Sequence, residues 1–231
     1  MNPYTGVELV HRFFAGTGPT YDLIANLCTV GFDISWKTKI MRKIPPKPAH
    51  IIDQACGTGI LTLRIARRFP SCRVTGVELR SEYLDIAKRK AASMKMKNLE
   101  FILGRAEDIV LNGPIDCIVS SYLAKYAELG SLVGNAAAML RRGGVLAMHD
   151  FTYPDGDTFP RIWDYYFKIL RTAGARFFPR WKTVFEELPQ FLRRTRWVTE
   201  LPLFLRENGF TCIRIESLTL GTSAIVTATR R

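Results

Sequence analysis

The 231-residue sequence predicts an α/β fold: a seven-stranded, mostly parallel sheet finished by an antiparallel C-terminal hairpin, with helices on both faces. Three observations carry this expectation. Between residues 50 and 151 short apolar runs alternate with segments of helical period, the pattern of right-handed strand–helix–strand crossovers in a buried parallel sheet. Two β-rich runs, 211–220 and 223–229, are separated only by Gly221-Thr222, and so short a link joins antiparallel strands. Composition agrees, because 47% apolar and 23% charged residues suit a globular core and not a disordered chain.

The elements follow in order. Residues 1–48 read as a helical N-terminal segment, ended by the breaker Pro45-Pro46-Lys47-Pro48. Residues 50–55 form the first strand, and 59–69 carry Leu61, Ile65 and Phe69 at helical steps. A strand at 73–78 precedes a helix that Ser81 can cap, with Leu84, Ala87, Ala91 and Met94 as its apolar stripe. Runs 99–103 and 115–120 are strands; 128–141 is a helix stopped by Gly143-Gly144, and 145–151 is a strand again. Residues 152–209 make a helical insert too long for a simple crossover, so the whole of 1–231 reads as one domain with two helical additions.

Several function classes fall away. No run of about 18 apolar residues exists, so no membrane-spanning helix is expected. Residues 1–14 lack a charged n-region followed by an apolar stretch, so no secretory signal is read. Five scattered cysteines without a CxxC pair, and three dispersed histidines, argue against disulfides and metal and for a cytoplasmic chain. The formal charge of +12 is concentrated: residues 158–197 carry net +6 and residues 36–50 net +5. The first of these also holds 11 of the 26 aromatic residues. Aromatic and basic content together suit a cover over a greasy substrate that touches an anionic membrane surface. They would also suit nucleic-acid contacts.

The sequence Ile51-Ile52-Asp53-Gln54-Ala55-Cys56-Gly57-Thr58-Gly59-Ile60 lies where the first strand turns into the first crossover helix. Small residues there admit a ligand to the backbone, and the helix start offers unpaired N–H groups. No Lys follows Gly59, so a P-loop fails, and only one of the three dinucleotide glycines is present. The D-x-A-x-G-x-G arrangement fits an S-adenosylmethionine loop. Glu78, ending the second strand about 20 residues on, is placed to accept hydrogen bonds from ribose hydroxyls.

Further segments narrow the reading. They are Val10-His11-Arg12-Phe13-Phe14, Tyr21-Asp22-Leu23-Ile24-Ala25-Asn26, Gly31-Phe32-Asp33-Ile34-Ser35-Trp36-Lys37, Leu140-Arg141-Arg142-Gly143-Gly144, Asp150-Phe151-Thr152-Tyr153-Pro154, Gly209-Phe210 and Leu218-Thr219-Leu220-Gly221. Together with the loop, these resemble the Rossmann-like class I S-adenosylmethionine methyltransferases, and among them the ubiquinone/menaquinone biosynthesis C-methyltransferase family. The resemblance implies cofactor contacts from Asp53, Ala55, Gly57, Thr58, Gly59, Glu78 and Leu79, an adenine border at Arg105, Ala106 and Glu107, and Ser121 at the fourth-strand exit. It implies C-methylation of a demethylated prenyl quinol; an N-methyltransferase of a membrane lipid or small amine is the alternative. Two departures stand out. Arg105 replaces the usual Asp or Asn and cannot accept a bond from the adenine amino group. The family's "FGLRN" is here Tyr122-Leu123-Ala124-Lys125-Tyr126, so Lys125 keeps the charge of the Arg without its planar fork.

C-methylation of a phenolic ring needs a base or hydrogen-bonding group at the ring oxygen. His149 is the first candidate base and Asp150 its orienter or an acceptor, with Tyr153 and Lys125 able to bind a ring oxygen. Neighbouring strand residues face opposite sides, so at most one of His149 and Asp150 is expected at the pocket. His11 and Tyr21 are candidates to close it from the N-terminal side. The expected partners are a hydrophobic small molecule, a peripheral anionic membrane surface at the inner face and a second copy of the chain, without nucleic acid: the segment after strand four lacks both a Pro-Pro-aromatic and a Pro-Cys motif.

Overall fold

The computed structural model describes residues 6–154 and 158–231; the first five residues of the expected N-terminal cover, and 155–157 of the expected insert, lie outside them. Three helices come first: α1 (Gly6–Phe14), α2 (Tyr21–Leu27) and α3 (Phe32–Met41). The alternating core follows as β1 (His50–Gln54), α4 (Ile60–Arg68), β2 (Arg73–Glu78), α5 (Ser81–Ser93), β3 (Leu99–Leu103), β4 (Ile115–Ser121), α6 (Leu129–Met139) and β5 (Leu140–Phe151). The insert is α7 (Thr158–Ile169), a π-helical turn, the short α8 (Ala175–Phe177), α9 (Lys182–Arg194) and α10 (Trp197–Glu207). The chain closes with β6 (Phe210–Leu218) and β7 (Ser223–Arg230).

The seven strands lie in the order β3-β2-β1-β4-β5-β7-β6. The first five are parallel, and β7 runs antiparallel to both β5 and β6. This is the expected sheet. Strand alternation sorts its apolar residues into two cores. On one face Ile52, Ile118, Leu146 and Met148 pack against α6 and α10; on the other Ile51, Val74, Val119 and Ile225 pack against α3 and α4. A third cluster joins Leu9 and Phe13 of α1 and Ile24 of α2 to Val184 and Phe185 of α9. The first two helices and the middle of the insert therefore share a core of their own, whereas α3 and α10 belong to the cores of the sheet, and α10 is no part of the expected substrate cover. No helix among the described residues is long and apolar enough to cross a membrane.

Local expectations are corrected at three points. Ser81 is the first residue of α5 and not its cap; Arg80 holds the cap position, with no side-chain hydrogen bond to the helix. The helix before β5 ends at Met139 instead of at the Gly143-Gly144 pair, because Leu140 already turns to extended backbone and pairs with Ile115. The hairpin link is longer than Gly221-Thr222: β6 ends at Leu218, and Thr219 and Leu220 both take left-handed backbone in a tight turn. Thr219 is held there because its hydroxyl accepts the indole N–H of Trp36 at 2.8 Å.

Candidate active site

The carboxyl ends of β1 and β4 diverge to opposite neighbours, β2 and β5, and the crevice between them is where open α/β sheets bind ligands. Backbone strain marks both ends. Ala55 just after β1 and Tyr122 just after β4 carry left-handed φ values of 57° and 70°, a conformation costly for residues with a Cβ and held by its surroundings. For Tyr122 the holding bond runs from its N–H to the carbonyl of His149, at 2.8 Å. Gly57 and Gly59 take the same region in the loop, with Gly59 at φ 85° starting α4.

A cavity of about 740 Å³ opens over this crevice, lined by Ala55, Gly57, Glu78, Leu79, Arg105, Ala106, Glu107 and Ser121. A small pocket continues it past the loop; Ile60, Leu61 and Tyr122 line it together with the polar side chains of Asp53, Thr58, Ser121 and Lys37. Every expected cofactor residue except Gly59 thus lines one of the two spaces; Gly59 instead shapes the turn.

Glu78 is buried at the far end of β2, and burial raises its carboxyl above the ordinary range. One oxygen accepts the N–H of Gly57 at 2.8 Å and the other that of Arg80 at 2.9 Å. A carboxylate oxygen can accept more than one bond, so both remain able to receive ribose hydroxyls. Asp53 is buried too, and loss of solvent pushes its carboxyl up to about 7 despite the 2.6 Å hydrogen bond from Thr62. The Thr58 hydroxyl donates to Asp22 of α2, which is ion-paired with Lys90, so the N-terminal helices are tied to the loop. At the adenine border Arg105 pairs with Glu107 at 3.3 Å. Glu107 also accepts the backbone N–H of Glu128 at 3.1 Å.

A second cavity, about 710 Å³, adjoins the first. Its lining is almost wholly apolar: Ile24 and Ala25 of α2 and Cys28 just after it, Trp163, Tyr166 and Phe167 of α7, and Val184, Phe185 and Leu188 of α9. Phe14, Tyr21, Tyr122 and Tyr126 line both cavities and form the wall between them. The lone ammonium among its lining residues is that of Lys125, whose side chain is 2% exposed and ion-paired with Asp150 at 2.5 Å. The same ammonium sits 4.3 Å from the centre of the Tyr126 ring. Burial pulls Lys125 below the ordinary lysine range, and Asp150 opposes that shift.

The catalytic candidates divide. Lys125 lines the apolar cavity; His149, Asp150 and Tyr153 are absent from the lining of either cavity. His149 and Asp150 do point to opposite faces, and both are fully buried. The His149 ring packs on Trp36 and its Nδ1 lies 3.0 Å from Ser121 Oγ, while burial drives its pKa well below the histidine range and keeps it neutral. Asp150 is occupied by the side chain and backbone N–H of Lys125. Tyr153 hydrogen-bonds Asp164 and lies under Arg193 on the insert. Of the N-terminal candidates, Tyr21 lines both cavities, whereas His11 is exposed beside Arg80. Tyr122, Tyr126 and Lys37 went unsingled by sequence reasoning, apart from their place in a motif or a charge count. The usable signal was positional, since Tyr122 directly follows the strand whose end forms the crevice.

This fold and site, a glycine loop after β1 with an acidic residue ending β2, define an S-adenosylmethionine-dependent methyltransferase. The match to the ubiE/COQ5 methyltransferase family runs over residues 4–230, and the chain belongs to that family. A demethylmenaquinone methyltransferase of Staphylococcus aureus (strain JH9) is 25% identical over 229 residues, covering 94% of this chain and 91% of that one. Among solved structures, a SAM-dependent methyltransferase from Aquifex aeolicus superimposes with a TM-score of 0.60 at 14% identity, covering 84% of this chain and 89% of that one. The geranyl diphosphate C-methyltransferase from Streptomyces coelicolor A3(2), solved with S-adenosyl-L-homocysteine, gives 0.62 at 14% identity, covering 86% and 79%. These two likenesses concern the fold.

Proposed function

We propose that the protein C-methylates a demethylated prenyl quinol of the menaquinone or ubiquinone type, with α1, α2, α7 and α9 closing over the acceptor. The observation that carries this reading is the apolar cavity sharing an aromatic wall with the cofactor cavity and holding one buried ammonium, Lys125. The family and the named Staphylococcus relative support it.

The cofactor supplies an electrophilic methyl group on a sulfonium, a good leaving group, so the protein's task is alignment and activation of the ring. Phe14, Tyr21, Tyr122 and Tyr126 exclude water from the line between donor and acceptor. The Lys125 ammonium donates to the quinol oxygen and stabilises the phenolate left when the phenolic proton passes to solvent. The ring carbon takes the methyl as the S–CH3 bond breaks, and its own proton leaves to water as the ring regains aromaticity. Asp150 positions Lys125, and neutral His149 fixes the strand ends through Ser121 and the Tyr122 N–H. The apolar lining of α2, α7 and α9 takes the prenyl tail.

The same helices favour delivery from a lipid surface. Leu23, Leu27 and Val30 at the end of α2, and Ile162, Tyr165 and Ile169 on α7, are exposed. The two sets flank one seam, because Tyr166 donates to the Cys28 carbonyl at 2.7 Å. Exposed Arg161, Lys168 and Arg171 rim it, which suits an anionic bilayer. The N-terminal charge run contributes less than its count implies: Lys37 is buried, and Lys39 and Lys43 both hold Glu216 of β6.

The test is transfer of a labelled methyl group from S-adenosylmethionine to demethylmenaquinol, demethylated ubiquinol, an amine lipid or RNA, offered together. Label in a quinol supports the reading. Label in the amine lipid establishes the N-methyltransferase alternative, and label in RNA overturns both.

A further inference from the structure

The cofactor's amino-acid end is a zwitterion, so a buried site for it needs an acceptor for the ammonium and a cation for the carboxylate. Glu78 accounts for neither charge of that end, and the loop brings one carboxylate, Asp53, but no cation. The small pocket beyond the loop is lined by one carboxylate, Asp53, and one cation, Lys37 of α3, among otherwise uncharged residues.

The other cations nearby are committed elsewhere. Arg80 and Arg105 line the opposite, Glu78 and Glu107 end of the cofactor cavity. Lys125 belongs to the apolar cavity and Asp150. Lys90 binds Asp22 and the Thr58 carbonyl from outside the pocket. Lys37 is 4% exposed, so it is no surface charge. Its buried partner is Asp33, one helical turn earlier, and that pair offsets the burial while Lys37 still lines the pocket.

We propose that Lys37 binds the carboxylate of the cofactor's amino-acid end, with Asp53 taking the ammonium. A lysine ammonium carries three N–H donors, and Asp33, one helical turn earlier on α3, accepts one of them. The Tyr122 hydroxyl donates to the same Asp33 oxygen at 2.7 Å, and Lys37 Nζ lies 4.9 Å over the Tyr122 ring. Asp33 and Tyr122 are thus positioning residues that keep the ammonium charged and steer it toward the pocket. The consequence is that cofactor binding draws on α3 as well as on the loop, and so fastens the N-terminal helices over the crevice. This inference rests on the cofactor and uses no acceptor, so its failure would leave the quinol reading intact.

The test is calorimetric affinity for two ligands without any turnover: S-adenosylhomocysteine, and S-adenosyl-3-thiopropylamine, which keeps the amine and lacks the carboxylate. We expect the wild type to prefer the carboxylate-bearing ligand by about tenfold to 100-fold, the range of a charged hydrogen bond. Lys37→Met should erase most of that preference and leave affinity for the amine ligand nearly unchanged. Because Lys37→Met alone strands Asp33, the pair is also removed as a unit in Lys37→Met/Asp33→Asn, with the same expected loss of preference. Equal affinities in the wild type would overturn the assignment without any variant. So would a variant that weakens both ligands alike, the mark of a merely structural lysine.

Discussion

The hydroxyl of Tyr122, on the exit of β4, donates to Asp33 of α3 across 2.7 Å, joining two residues 89 positions apart in the chain. Both are in the interior of the site, and burial raises the Tyr122 hydroxyl well above its ordinary pKa, so it remains a donor at any physiological pH. Tyr122→Phe keeps the ring stack on Phe151 and removes only this bond. We expect a loss of about 1.5–3 kcal/mol, the worth of a hydrogen bond to a charged group. Urea unfolding of the two proteins, compared at equal slope, measures it.

If Glu78 accepts from the ribose, as the family resemblance implies, Glu78→Ala should weaken S-adenosylhomocysteine binding by at least about tenfold, since it also frees the N–H groups of Gly57 and Arg80. Glu78→Gln keeps one acceptor oxygen and should lie between. Titration calorimetry gives both values, and an unchanged constant in Glu78→Ala would remove Glu78 from the ribose.

Asp53 gives a pH signature. Its folded carboxyl is raised to about 7 from an ordinary 3.8, so the native state holds a proton that the unfolded chain has released. Its contribution to stability is therefore full below the ordinary value and is lost as pH climbs to about 7. Wild type should lose stability relative to Asp53→Asn between pH 4 and pH 7, as read from urea midpoints. Saturating S-adenosylhomocysteine should shrink the difference, because an ammonium beside Asp53 favours its ionised form.

Lys125 and Asp150 should behave as a pair. Asp150→Ala leaves an unpartnered buried ammonium and should cost about 3–5 kcal/mol, whereas Lys125→Met/Asp150→Leu should cost clearly less than the sum of the single changes. A thermal-unfolding double-mutant cycle reads the coupling. If Lys125 donates to the ring oxygen as proposed, its ammonium form is the active one, and burial lowers its pKa from the ordinary 10.5. Activity should accordingly fall as pH rises through that lowered value, and Lys125→Arg should carry the limb upward. An identical alkaline limb in both enzymes would take Lys125 away from the ring oxygen.

The parts legible in the sequence are those with local causes. β2 and β3 have the expected ends because period and flanking breakers coincide there. The loop and Glu78 were readable because close approach to a ligand demands small residues at fixed spacing. Lys37 was not, since its burial depends on Asp33 beside it and on Tyr122 far along the chain; by composition it was one of a basic run. The same holds for His149 and Asp150, whose strand position was right but whose directions are set by Trp36 and Lys125. Sequence pattern gives the face on which a residue lies, and only tertiary packing says what that face meets.

The grip of Lys39 and Lys43 on Glu216, with Trp36 on Thr219, spans 173 to 183 residues of chain. On a ribosome α3 therefore emerges long before β6 and the following turn exist, and these docking partners are missing until the last strands have left the exit tunnel. Contacts of such sequence separation form slowly and late. The alternating core can assemble first and α3 can fasten afterwards, so during synthesis the crevice should stand open, with its greasy neighbour exposed to chaperones. A stalled chain ending before residue 216 should show the same delay as protease sensitivity in α3 and along the β5 edge that β7 would cover.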